Sequence, residues 1–169
     1  MAEVDSYRFC GRATARIARS WIERERDPGR LIPWTPLGKP LSECTVAFVS
    51  SAGIAMLNDE PFDQEGERRN PWRGDPSFRV IPRTATEKDV RICHLHINPE
   101  FALQDLNVVL PLQRLQQLVG QGEVGRVAEE HYSFMGYILE ERELLAQSVP
   151  AIIVGLQAQE VDVVILVPV

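Results

Sequence analysis

Residues Val161-Asp162-Val163-Val164-Ile165-Leu166-Val167 form a run in which every residue but one is apolar. A run this short cannot cross a bilayer, which takes about 20 residues in a helix. Apolar side chains at odd and even positions alike predict a strand covered on both faces, the signature of a parallel sheet between helices. Parallel strands need long crossover connections, normally helical. This one segment therefore limits the chain to an α/β architecture.

The rest of the sequence is consistent with that limit. Thr45-Val46-Ala47-Phe48-Val49-Ser50 reads as the first strand and runs into the small residues Ser50-Ser51-Ala52-Gly53. Such a strand-to-loop passage can cradle an anion or cofactor through backbone N–H groups. Val90 to Ile97 alternates and reads as a second strand. Leu106 to Leu110 suggests a further short extended piece. Pro111 opens a helix over Leu112 to Val119, closed by Gly120 and Gly122. Glu140 to Gln159 reads as helical with a break near Pro150. Phe9, Ala13, Ile17 and Trp21 recur at steps of four, predicting an amphipathic helix over residues 5–25 that ends at Asp27-Pro28-Gly29. An extended stretch follows, Leu31 to Pro40, in which Trp34 is expected to pack the passage onto the body. Asn58 to Pro82 has no hydrophobic period and holds repeated Pro and Gly. A loop of that length is usually functional, and Phe62, Trp72 and Phe78 predict an ordered cover. The expected fold is α/β, a mainly parallel sheet with flanking helices in a Rossmann- or flavodoxin-like three-layer arrangement, incomplete at its C-terminal end. Residues 1–40 form a helix and extended arm, and 41–169 the α/β domain.

Composition narrows the function classes. With 44% hydrophobic and 25% charged residues over 169 positions, the chain has a globular make-up. Its net charge of −6 argues against nucleic acid as the main partner, since phosphate neutralisation needs a basic face. No apolar run is long enough for a membrane span. Glu3, Asp5, Glu23, Glu25 and Asp27 do not suit a signal or transit peptide, so a cytoplasmic location is expected. The three cysteines, Cys10, Cys44 and Cys93, lack any C-x-x-C spacing, which fits free thiols in a reducing compartment.

The residues with chemistry are few. On a strand, His94 and His96 would present both imidazoles to one face and Cys93 to the other. That pair can be half of a metal site, a metal-free polar pair in a pocket, or plain structure. His131 is the only other histidine. Asp75 and Arg79 flank Ser77 in the long loop. Asp105 and Asn107 stand together after the histidines, where Asp105 either binds a substrate ammonium or caps nearby backbone. Ser133 lies in Ser133-Phe134-Met135-Gly136, a run that lines a pocket or forms a core turn. His94 and His96 are the candidate proton-handling groups. Ser51, Gly53, Asp75, Arg79, Asp105, Asn107 and Ser133 are the candidate substrate-binding residues, and no metal is assigned.

Several runs together resemble the glycine/sarcosine/betaine/D-proline reductase selenoprotein B family: Thr45 to Gly53 (TVAFVSSAG), Pro61-Phe62-Asp63, Gly74 to Pro82 (GDPSFRVIP), His94-Leu95-His96, Asp105 to Leu115 (DLNVVLPLQRL), Gly122-Glu123-Val124-Gly125, His131 to Gly136 (HYSFMG) and Val161 to Val169 (VDVVILVPV). The resemblance extends from about Trp34 to Val169 and places residues 41–169 with the N-terminal part of that protein. It implies reductive C–N cleavage of glycine, an N-methylated glycine or D-proline. A selenocysteine or cysteine attacks carbon, a pyruvoyl carbonyl on a partner subunit holds the amine, and a thioredoxin-like dithiol donates electrons. A selenolate is populated at neutral pH, where a thiol is mostly protonated. The family's redox motif, selenocysteine or cysteine followed three residues later by cysteine, is absent here, and none of the three cysteines matches its position. By resemblance that residue is expected just past Val169, with UGA read as a stop. The expected partners are other reductase subunits, the electron donor and a small-molecule substrate. Two further readings stand beside a reductase domain: an accessory or binding subunit without the redox residue, and a metal-dependent enzyme using His94 and His96.

Overall fold

A computed structural model describes residues 11–25, 29, 35–70, 72 and 74–169. The chain divides into two units, Met1–Pro36 and Leu37–Val169. Of the first, the described part is mainly one helix, α1 (Arg12–Glu25). Its Ile17 and Trp21 are exposed. The start expected at residue 5, the closing Asp27-Pro28 and the packing of Trp34 lie outside the described residues.

The second unit runs β1 (Thr45–Ser50), β2 (Ile54–Met56), α2 (Gln64–Arg69), β3 (Phe78–Pro82), β4 (Val90–Ile92), α3 (Glu100–Gln104), α4 (Leu112–Gly120), β5 (Arg126–Val127), β6 (Glu130–Phe134), α5 (Val149–Ala158) and β7 (Val163–Val167). It is mixed α/β with a mostly parallel sheet. Strand β1 is wholly buried, and β7 runs parallel to it from Val46↔Val163 to Ser50↔Val167. The other edge of β1 is shared by β5 and β6, both parallel, through Val46↔Val127 and then Val49↔Tyr132. Three steps along β1 thus match five along its partner, so the ladder bulges at Ala128-Glu129. His131 fills the gap: its Nδ1 accepts the Phe48 N–H at 2.9 Å, and the ring is fully buried. β3 closes the far side antiparallel to β6, while β2 and β4 form a separate antiparallel pair.

Alternation along β1 feeds two cores. Val46 and Phe48 join Leu112 and Leu115 of α4 and Leu106. Ala47 and Val49 face the other way, onto Tyr132 and onto Ile152 and Leu156 of α5. The single charge in the last apolar run has a local cause. Asp162 Oδ2 accepts the Thr45 N–H at 2.8 Å and pairs with Lys39, which sets the register where β7 begins.

Five expectations need correction. Strand β7 is not covered on both faces: among the described residues it pairs only with β1, and Leu166 is 71% exposed, with Val164 and Ile165 also exposed. Segment 58–82 is not loop throughout but contains α2 and β3. Within it Phe62 is buried, whereas Trp72 is largely exposed. The strand expected over Val90 to Ile97 stops at Ile92 because His94 Nδ1 accepts the His96 N–H, a side-chain bond that turns the chain. Leu106–Val108 is a 3-10 turn, not an extended piece. No break occurs near Pro150: a π-helical turn, Leu144–Ser148, leads directly into α5. Its wider winding accommodates a ring that clashes inside a regular helix.

Candidate functional site

Parallel strands place their following loops at one rim, where open α/β sheets take ligands. Here β1, β6 and β7 end together. The Ser51 N–H donates to Val167 O at 3.1 Å, and the Val169 N–H donates to Ser51 Oγ at 2.9 Å. The Gly53 N–H donates to Phe134 O at 2.9 Å. Gly136 lies so close to Ser51 that a Cβ on it would come within 2.9 Å of the Ser51 Cβ. Gly53 has φ of +65°, and a Cβ there would sit 3.0 Å from the His94 nitrogen. Glycine is thus required at Gly53 on two grounds, backbone conformation and close approach.

These bonds correct one expected role. The N–H groups of Ser51, Ala52, Gly53 and Ile54 all donate within the protein, to Val167 O, Ser50 Oγ, Phe134 O and Ser133 Oγ. The loop therefore does not offer a backbone anion cradle. Its half-buried Ser51 hydroxyl accepts from the Val169 N–H at 2.9 Å and donates to Val169 O at 3.5 Å, leaving one lone pair to offer.

Against Gly53 lies the turn bearing the two histidines. His94 is buried, and its Nδ1 accepts from the His96 backbone, so the proton of the neutral ring sits on Nε2. Burial, helped by the neighbouring His96, holds His94 below the usual histidine range. The two rings meet edge to face, 5.8 Å between centroids. His96 Nε2 lies 2.9 Å from Oε1 of Glu67, and the His96 ring stands 4.1 Å from the Tyr137 ring, centroid to centroid. Glu67 comes from α2, whose neighbour Gln64 donates to Cys93 O at 2.6 Å. Segment 58–82 thus reaches the histidine turn through α2.

The remaining candidates lie elsewhere or are engaged. Ser133 is fully buried, with its hydroxyl accepting the Ile54 N–H. Asp105 caps the 3-10 turn by accepting from the Asn107 N–H and side chain, bonds that hold its carboxyl below the ordinary range. Asn107 in turn accepts from the Gln113 N–H at 3.1 Å, at the start of α4. Burial pushes the Asp75 carboxyl up, but bonds from Ser77 and the Asp63 N–H, with Arg79 nearby, outweigh it and hold it low. Arg79 ties Ser77 Oγ to the Glu60 and Pro61 carbonyls and lies over the Phe62 ring. Asp75 and Ser77 line a cavity of about 410 Å³ with Glu143 and Ser148, and the histidines are not among its walls. Among the described residues no three His, Cys, Asp or Glu side chains converge as a metal site would need. Glu67 and Tyr137 were missed in the sequence. A glutamate in Gln64-Glu65-Gly66-Glu67-Arg68-Arg69 reads as solvated, and nothing local marks it as the inward one.

Residues 29–169 match the family model described as glycine/sarcosine/betaine reductase selenoprotein B. Similar proteins include the D-proline reductase subunit gamma of Acetoanaerobium sticklandii, 31% identical over 133 residues, which are 79% of this chain and 52% of that protein. The glycine reductase complex component B subunit gamma of Carboxydothermus hydrogenoformans is 29% identical over 80% of this chain and 30% of its own length. The betaine reductase complex component B subunit beta of Peptoclostridium acidaminophilum is 31% identical over 76% and 28%. This chain therefore spans about half the length of the first and under a third of the other two. No solved structure matches.

Proposed function

The chain belongs to the glycine/sarcosine/betaine reductase selenoprotein B family, and on that footing we propose that it forms the substrate-facing α/β domain of an amino-acid reductase component. The proposed reaction is reductive C–N cleavage of glycine, an N-methylated glycine or D-proline. A dithiol gives two electrons and two protons and is left as a disulfide. The C–N bond breaks, a C–H bond forms, and the nitrogen is released from that carbon as the amine.

One observation supports this reading above the others. The runs that carry the resemblance to the family, Thr45 to Gly53, His94 to His96, His131 to Gly136 and Val161 to Val169, have their ends at or beside the rim where β1, β6 and β7 end. There the Ser51 hydroxyl, the His94 N–H and the His96 ring suit a small charged amine acid. The redox group does not come from the described cysteines, since Cys44 and Cys93 are both buried. In this proposal the selenocysteine or cysteine follows Val169, and a pyruvoyl carbonyl on a partner subunit holds the amine. Other reductase subunits and a thioredoxin-like donor complete the assembly, in a reducing compartment such as the cytoplasm. No helix among the described residues is long and apolar enough to cross a membrane. The exposed apolar edge of β7 supports a close neighbour in the assembly. A metal enzyme built on His94 and His96 is disfavoured, because His94 Nδ1 is engaged by the His96 N–H and, among the described residues, no three His, Cys, Asp or Glu side chains converge.

Reconstitution tests the proposal. The component, its partner subunits and dithiothreitol are combined with glycine, sarcosine, betaine or D-proline. Amine release or ring opening that requires this component is expected with at least one substrate. Equal turnover without it would leave the accessory-subunit reading in its place.

A further inference from the structure

Helix α2 is polar throughout, yet it turns one acid inward. The Glu67 side chain is 1% exposed, its Oε1 meets His96 Nε2 at 2.9 Å, and its Oε2 is buried without a partner among the described residues. A buried carboxylate with one oxygen unpaired is costly, and an apolar residue would fill the same space at less cost. The acid is accounted for by what it holds. With Glu67 as a carboxylate its oxygens only accept, so His96 Nε2 carries the proton, and in the neutral ring the lone pair falls to Nδ1. Tyr137 confines the ring from the segment after β6, and His94 meets it from its own turn. Glu67, Tyr137 and His94 are the titratable groups seen in contact with the ring. His94 has the same tautomer for a different reason, its Nδ1 being bonded to the His96 backbone. The turn thus sets one fixed N–H donor beside one fixed acceptor.

We infer that Glu67 is the positioning residue that makes His96 Nδ1 the proton acceptor of this site. A proton taken there from a substrate ammonium, or returned to a departing amine, leaves an imidazolium whose charge faces Glu67. This inference rests on the rim being the substrate face, as proposed above.

Nitrogen-detected NMR of the ¹⁵N-histidine-labelled protein reads the tautomer without any assay. In the wild type with the ring neutral, Nε2 should be pyrrole-like and Nδ1 pyridine-like. Glu67→Gln, whose amide can both donate and accept, should mix or reverse that preference. A wild-type ring protonated on Nδ1, or an unchanged tautomer in Glu67→Gln, overturns the inference. A wild-type ring protonated on Nδ1 overturns the inference even should the variant not fold. In the reconstituted complex Glu67→Gln should lower kcat on the order of 100-fold with KM little changed. A changed tautomer with full turnover would overturn the substrate-face reading instead, and the orientation by Glu67 would stand.

Discussion

Lowering the pH from 6.5 to 4 is expected to remove about 3 kcal/mol of folding stability through His131 alone. The ring is fully buried, and that burial, only partly countered by the Ala128 carbonyl, pushes its pKa down to about 4 from 6.5. An unfolded chain therefore binds a proton in this window that the folded chain refuses. Stability from this group is complete above pH 6.5, falls by about 1.4 kcal/mol per pH unit, and levels off below pH 4. The geometry agrees, because Nδ1 accepts the Phe48 N–H and a proton there would set donor against donor. Urea titrations of wild type and His131→Asn across pH 4–7 isolate the effect, since the acid groups titrate in both. The variant keeps an acceptor and should lose most of this slope. Parallel stability curves would show that His131 does not carry it.

The second large effect falls on turnover. His96→Gln in the reconstituted complex should lower kcat on the order of 100-fold, the usual worth of a positioned acid or base. Folding should change little, because the ring is 47% exposed and leaves no apolar core position empty. Urea midpoints near wild type with turnover lost would assign His96 to the chemistry. Turnover within twofold of wild type would remove it.

What could be read from the sequence divides by how local the cause is. Strand β1 was legible because Thr45 to Ser50 is apolar at every interior position and carries the β-branched Thr45, Val46 and Val49. The start of α4 was legible from Pro111. The capping alternative for Asp105 was visible in its spacing to Asn107, two residues on. The exposure of β7 was not legible, because an apolar run states what its faces suit and not which neighbours it has. Helix α2 escaped because it carries no apolar period and is held by Asp63, whose side chain accepts the Gly66 N–H. His94 and His96 were found as residues but assigned to a strand, since one side chain bonding to backbone two residues on was enough to end it. Glu67 and the buried place of His131 are tertiary facts. Both depend on partners 29 and 83 residues away, and no window of sequence contains them.

The central claim is that substrate lies at the rim where β1, β6 and β7 end. A structure of the assembled complex with a bound substrate analogue tests it most directly. The account predicts the analogue within hydrogen-bond reach of the His94–His96 turn and near the Ser51 hydroxyl. An analogue held instead in the cavity beside Asp75 and Glu143, or with no atom near either histidine, would contradict it.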